Sequence, residues 1–355
     1  PTVKSRSKAG KAGPQDEFAP TVPIILDISE GLANSLDYDS LNDELAALRR
    51  ALYFDLGVPF PGINLRVSPA LQGFSYVLQV NEIPMSRGQL EAGMVLARES
   101  EDTLHMLGVE VKKGEAFLPD VESLWIPQEK QTVLEQAGLS CMSHSRILAY
   151  HLSLMLARHA SGFIGMQETK YLLDRMEERA PDLVREATRL LPTQRIAEIF
   201  QRLVQEQISI RDLRSILEAL IEWSPKEKDT VMLTEYVRGA LKRQISYMYS
   251  RGQNMLPAIL MDPSVEETIR KSIRQTSAGA FLALDPDTTR RFVEAVTAAA
   301  GDYRKHPQMP VLLASMDIRR YVRRLIEGEH YRLPVVSYQE ITPEISVQPV
   351  NRIRL

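Results

Sequence analysis

Residues 143–174 read SHSRILAYHLSLMLARHASGFIGMQETKYLLD, and this stretch decides how the chain divides. Ile147, Leu148, Tyr150, Leu152, Leu154, Met155, Leu156 and Ala157 put apolar side chains on nearly every face of a helix, the pattern of a buried one. Gly162 and Gly165 then stop it. Gln167-Glu168-Thr169 opens a second helix that carries Tyr171, Leu172 and Met176. A buried helix, a turn and a more polar helical region together read as a joint between two domains.

Upstream of the joint, VPIILDI from Val22 is short, apolar and β-branched, as a strand should be. A helix follows over 41–56, capped by Asp39 or Ser40, with Leu41, Leu45, Leu48 and Leu52 on one face and Gly57 as its stop. INLRV and FSYVLQV supply two more strands, giving a small α+β layer over 21–80. Between 81 and 123 helical periodicity fades and Gly and Pro recur. This segment reads as a β-rich insertion, with MVLARE and HMLGVEV as short strands. LWI at 124–126 then returns to the first layer, which runs to 164, with a helix from Pro127 to near Gly138.

Downstream, 165–229 is almost all helix. Pro181 stands at a first helical position, Thr193 and Ser209 with Asp212 as caps, and Ser224-Pro225-Lys226-Glu227 as a capping box that launches the next helix. From 230 to 355 the pattern alternates. LPAILM leads to Asp262-Pro263, AFLAL to Asp285-Pro286 and PVLLA to Ser315, each followed by a helix, and PVVSY is a further strand. That repetition predicts an α/β domain, with ISVQPV as an edge strand that tolerates Pro349 and 351–355 as a tail. The fold class is therefore a mixed α/β and α+β multidomain chain. Residues 1–20 are basic and poor in apolar side chains, a flexible linker whose Lys4, Arg6, Lys8 and Lys11 suit a solvated tether or contact with anionic lipid.

Composition bounds the chemistry. The 355 residues are 44% hydrophobic and 25% charged with a net charge of −3, so no overall field draws nucleic acid. No run of 18 apolar residues occurs. The single cysteine, Cys141, sits among apolar neighbours as an inert thiol, which fits a reducing compartment. No GxxxxGKS, GxGxxG or GxSxG pattern is present in an ordered context, so no cofactor and no catalytic residue is assigned. His144, His151 and His159 lie seven and eight apart rather than at a metal-binding spacing, and no metal site is assigned. His151 reads instead as a satisfied, partly buried helix residue. Arg319, Arg320, Arg323 and Arg324 pair at i,i+4 on an amphipathic helix, as a solvated face or a docking surface for an acidic protein.

The 143–174 stretch also resembles the signature region of the type III secretion export-gate family (FHIPEP), which includes FlhA of flagella and SctV of virulence injectisomes. Further similar stretches follow in order: PGINLRV, VLQVNEIP, LWI, RIAEIFQRLVQEQISIRDLRSILEAL, SPKEKD, IRQTSAGAFLALDP and PVVSYQEI. IRQTSAGAFLALDP and Gln167-Glu168-Thr169 lean toward the injectisome branch. The resemblance implies a non-enzymatic cytoplasmic domain at the bacterial inner membrane, tethered by residues 1–20 to a membrane-spanning half. It implies four subdomains, 21–80 with 124–164, 81–123 inserted, 165–229 and 230–355, and assembly into a nonameric homo-oligomer ring. The implied partners are chaperone–effector complexes, a gatekeeper, an ATPase stalk protein and export-apparatus membrane proteins, with no nucleic acid. Arg195, Arg202, Arg211 and Arg214 become candidate ring contacts. Phe117, Pro119, Trp125 and Tyr150 mark the candidate partner-binding cleft, where Trp125 and Tyr150 either flank a groove or pack within the first layer. Gly162 and Gly165 become a candidate hinge between the cargo-facing and ring-forming parts. A competing reading is a nucleotide-binding or hydrolytic enzyme built on the C-terminal α/β domain.

Overall fold

The computed structural model describes residues 20–119, 121–276, 279–301 and 308–355. The linker expected over 1–20 lies outside these, apart from its last residue. The chain divides into two compact units. The first holds 1–50 and 60–156, the second 51–59 and 157–355.

In the first unit the order is β1 (Ile24–Ile28), α1 (Glu30–Ser35), α2 (Tyr38–Leu56, whose last turns belong to the second unit), β2 (Asn64–Val67), β3 (Ser75–Val80) and β4 (Ile83–Gln89). There follow β5 (Met94–Ala97), α3 (Glu101–Met106), β6 (Lys112–Lys113), β7 (Leu124–Pro127), α4 (Gln131–Gln136), β8 (Cys141–Met142) and α5 (His144–Arg158). Two four-stranded sheets result, β2-β1-β3-β4 and β6-β7-β5-β8. Every residue of β1 is buried, as befits an inner strand. Its one charge, Asp27, is matched in register by Arg66 on parallel β2, whose guanidinium forks onto it at 2.5 and 2.7 Å. The β3–β4 hairpin turns on Asn81 (φ 50°) and Glu82 (φ 65°), the left-handed pair that a two-residue loop demands. Gly57, at φ +79°, closes α2 where a side chain would meet Arg211 and Ile210 at 3.0 Å.

Two expectations change here. β4 hydrogen-bonds to β3, so 83–89 belongs to the first sheet rather than to an insertion. Leu124–Pro127 pairs with β5 and β6, so LWI completes the second sheet instead of returning to the first. Val95, Leu104, Leu124, Ile126 and Leu134 form that sheet's own core. HMLGVEV is not a strand, because Ser100 caps α3 and the helix runs through its first two residues.

The second unit continues with α6 (Met166–Glu177), α7 (Pro181–Leu190), α8 (Thr193–Gln205), α9 (Leu213–Trp223), α10 (Thr230–Ala240) and α11 (Lys242–Ser250). Then come β9 (Met255–Met261), α12 (Pro263–Lys271), β10 (Ile273–Thr276), β11 (Gly279–Leu282), α13 (Pro286–Ala300), β12 (Val311–Ala314), α14 (Met316–Ile326), β13 (Val335–Ser337) and β14 (Ser346–Ile353). The sheet β13-β12-β9-β14 is parallel throughout. Its core joins Ile259, Leu312 and Val335 to Phe292, Val296, Ile318 and Val322 from α13 and α14. Burial of each such side chain contributes about 1.5–3 kcal/mol relative to exposure. Asp262 and Asp285 cap α12 and α13 ahead of their prolines, as the sequence predicts.

AFLAL leaves this sheet and forms a separate hairpin with β10. Asn351 to Ile353, expected as tail, extend β14 along β9 beyond a bulge at Pro349. Ser224-Pro225-Lys226-Glu227 starts no helix. Ser224 ends α9, and α10 is capped by Asp229, whose carboxylate accepts from the Val231 amide.

Candidate partner-binding surfaces

Trp125 lies on β7 with its side chain 1% exposed. Phe117 stacks on it at 6.1 Å, the two rings 10° from parallel, and His144 meets it edge-on at 6.5 Å. Gly114 gives it room, since a Cβ there would come within 2.7 Å of the indole nitrogen. Trp125 is therefore a core residue and not an open anchor, which corrects its place in the expected cleft. Phe117 and Tyr150 remain half-buried and Pro119 is exposed. The Arg98 guanidinium sits over the Tyr150 ring at 5.8 Å.

Next to Tyr150 on α5, His151 is buried. Its Nδ1 lies 2.7 Å from the Tyr76 hydroxyl and its Nε2 2.7 Å from Ser86 Oγ. With the phenol donating to Nδ1, the neutral ring donates from Nε2 to the serine, and both nitrogens are used. Burial pushes the His151 pKa down to about 4 from 6.5. A group depressed on folding contributes stability above its unfolded pKa and loses it as pH falls through the folded one. Between pH 6.5 and 4 the first unit is therefore expected to lose stability through this residue. Trp125 fluorescence in a Trp223→Phe background reports it. Urea midpoints of His151→Gln should fall less steeply with pH than those of the parent, and parallel profiles would contradict the assignment.

The four arginines expected at a ring surface lie in the second unit, each with an internal partner. Arg195 donates to Thr230 Oγ1 at 3.1 Å and to the Lys228 carbonyl. Arg202 pairs with Glu198 at 2.8 Å and Arg214 with Glu218 at 2.9 Å, both one turn along their own helices. Arg211 donates to the Phe54 carbonyl at 3.1 Å and covers the Phe54 ring at 4.8 Å. Beneath it Phe54 is 58% exposed and Tyr53 40%. Sequence reading missed these two aromatics, although their signal was present: both fall off the Leu41-Leu45-Leu48-Leu52 face of α2.

Among the described residues, no group of three or more His, Cys, Asp or Glu is placed to hold a metal, and no helix is long and apolar enough to cross a membrane. Cys141 is buried on β8, and burial raises its thiol pKa.

Residues 2–346 match the model of the FHIPEP family. The chain belongs to the FHIPEP family of type III secretion export-gate proteins. It is 50% identical over 360 residues to the low calcium response locus protein D of Yersinia pestis, a match covering all of this chain and 51% of that protein. The chain thus spans about half the length of the relatives it matches. Its fold is similar to the Chlamydia pneumoniae CdsV protein in complex with CdsO, at TM-score 0.89 and 41% identity, covering 96% of this chain and 100% of that one. It is also similar to nonameric SctV-C of EPEC, at TM-score 0.79 and 29% identity, covering 95% and 100%. These FHIPEP relatives are secretion and invasion proteins by name, not enzymes, and the competing enzyme reading is set aside.

Gly162 and Gly165, the candidate hinge, lie a few residues past the boundary between the two units. Both glycines lie inside the second unit, and the chain passes between units at Leu156 and Ala157, within the unbroken helix α5. Gly162 sits in a tight turn over Ala160–Phe163. Gly165 starts α6 with its amide donating to Glu168 Oε2 at 2.9 Å. Neither has a positive φ. Phe163 and Ile164 are buried, and Gln201 donates to the Ile164 carbonyl at 2.5 Å. Packing on α8 thus makes this turn part of the helical layer.

Proposed function

We propose that this chain is the cytoplasmic part of an injectisome export gate. Nine copies form a ring at the cytoplasmic face of the bacterial inner membrane. The ring docks chaperone–effector complexes, a gatekeeper and an ATPase stalk protein, and hands substrates to the membrane channel. The observation that carries this reading is the likeness, over 95% of the chain, to a protein solved as a nonamer. The likeness to CdsV, solved with CdsO, supports a protein-docking role. Arg195, Arg202, Arg211 and Arg214 are the proposed ring contacts, and Phe117, Pro119 and Tyr150 the proposed docking positions. A ring gains from weak repeated contacts, because each further contact is made at high effective concentration.

Secretion tests the docking half of the proposal. In the bacterium that carries it, the full-length protein with Tyr150→Ala and Phe117→Ala should export effectors at a tenth or less of the parent rate. Protein level and ring assembly should be unchanged. Parental secretion from that variant would remove these residues from the docking surface.

A further inference from the structure

A buried charge cluster sits where the helical layer of the second unit, α6 to α11, meets the α/β layer that follows. Arg319 on α14 is 1% exposed. It forks onto Glu235 of α10 through Nε and Nη2, both at 2.6 Å. It also reaches both oxygens of Glu206, just past α8, at 2.6 and 2.9 Å. Arg238 of α10, equally buried, donates to Glu340 Oε2 at 2.6 Å and lies 3.3 Å from Glu206 Oε2. Glu340 Oε1 accepts from the Ser337 amide and hydroxyl at 3.2 and 2.7 Å. Both guanidiniums also approach the Val335 carbonyl, at 3.2 and 3.4 Å. Burial works against the charge of Glu206, but Arg319 and Arg238 hold its pKa down to about 2.

Each layer brings both signs. Glu206, Glu235 and Arg238 come from the helices, Arg319 and Glu340 from the α/β layer. Strong pairs run across the junction: Arg319 to Glu206, Arg319 to Glu235 and Arg238 to Glu340. A buried ion pair adds little net stability over an apolar contact, because desolvation offsets attraction. Its effect on intermediate states is different. A slide of an ångström or two would break the forks to Glu235 and Glu340, whose side chains and guanidinium partners are 1–2% exposed, while water stayed excluded from them, and unpaired buried charge is costly. Only full separation rehydrates the groups.

We propose that this cluster makes the junction all-or-none, so that the helical and α/β layers of the second unit open and move as one body. A displacement imposed on either layer by a docked partner is then carried whole to the other. The sequence boundary at 229/230 is crossed by Glu206, which reaches Arg319 and Arg238, while Glu235 and Arg238 of α10 bind the α/β layer directly. The cluster thus joins 165–229 and 230–355 into one mechanical unit.

Native-state hydrogen exchange on the chain tests this. Amides of Leu233 and Val237 in α10 and of Leu312 and Leu313 in β12 should exchange through one opening, with opening constants within about threefold. They should respond alike to low urea and stay protected in 1 M NaCl, since buried pairs are poorly screened. Arg319→Met should speed all four together by about 100-fold or more, the equivalent of the loss of one partner of a buried pair. Arg319→Lys, which keeps the charge without the fork, should shift them together by less. Opening of the α10 amides while β12 stays protected, in the parent chain or in either variant, overturns the proposal. Should Arg319→Met not fold, the parent and Arg319→Lys profiles decide alone.

Discussion

Replacing Glu340 with alanine is expected to destabilise the second unit by about 3–5 kcal/mol, the range for removing one partner of a buried ion pair. Glu340 is 1% exposed, and its two oxygens serve different groups. One accepts from Arg238 at 2.6 Å, the other from the amide and hydroxyl of Ser337. Alanine would leave a buried guanidinium holding Glu206 at 3.3 Å as its remaining carboxylate, and would orphan the Ser337 amide. Glu340→Gln keeps an acceptor for Ser337 but loses the charge, and should fall between the parent and alanine. Trp223, stacked on Tyr236 at 4.1 Å in the same unit, reports unfolding in a Trp125→Phe background. A loss below 1 kcal/mol for the alanine variant would mean that the charges rehydrate where they stand.

Gly88→Ala is the second large effect, expected at about 3 kcal/mol in the first unit. A Cβ at Gly88 would lie 2.5 Å from Tyr76 Cζ and 2.7 Å from Cε1, and nearer still to the hydroxyl. Tyr76 cannot retreat. Its side chain is fully buried, its ring stands edge-on to His151 at 5.7 Å, and its hydroxyl is bonded to Nδ1. The residues face one another across the β3–β4 ladder, so relief requires the edge strand β4 to shift. Urea denaturation followed through Trp125 measures the cost. A midpoint within error of the parent would show that β4 yields freely.

Local chemistry was legible in the sequence and distant pairing was not. Asp262-Pro263 and Asp285-Pro286 announced their helices because a capping carboxylate and a proline act within one turn. The strands at Ile24, Met255 and Val311 were visible in short β-branched and apolar runs. By contrast, nothing in LWI says which sheet it joins, since its partners on β5 and β6 are chosen by tertiary packing. Ser224-Pro225-Lys226-Glu227 had the spacing of a helix start, yet α9 runs to Trp223 and takes Ser224 as its end. The arginines of α14 read as a solvated face or docking patch from their i,i+4 spacing. Arg319 and Arg323 are instead buried, and the carboxylates that allow it for Arg319 lie 84 and 113 residues away.

The candidate surfaces followed the same division. Residue type suggested Trp125 as an anchor, but whether an aromatic lines a groove or fills a core depends on Phe117, Gly114 and His144 around it. The export-gate family was readable from the 143–174 stretch and its companions, and the fold agrees with it across the chain. Gly162 and Gly165 were named as a hinge from residue type alone, whereas the burial of Phe163 and Ile164 beside them depends on tertiary packing that the sequence does not show.

The central claim is that this chain builds a nine-membered export-gate ring. Mass measurement in solution with negative-stain imaging, across concentrations and on both the chain and the full-length protein in detergent, tests it most directly. The account predicts closed nine-fold rings whose population rises with concentration and with membrane anchoring. A strict monomer under every condition, or a closed ring of another number, would contradict it.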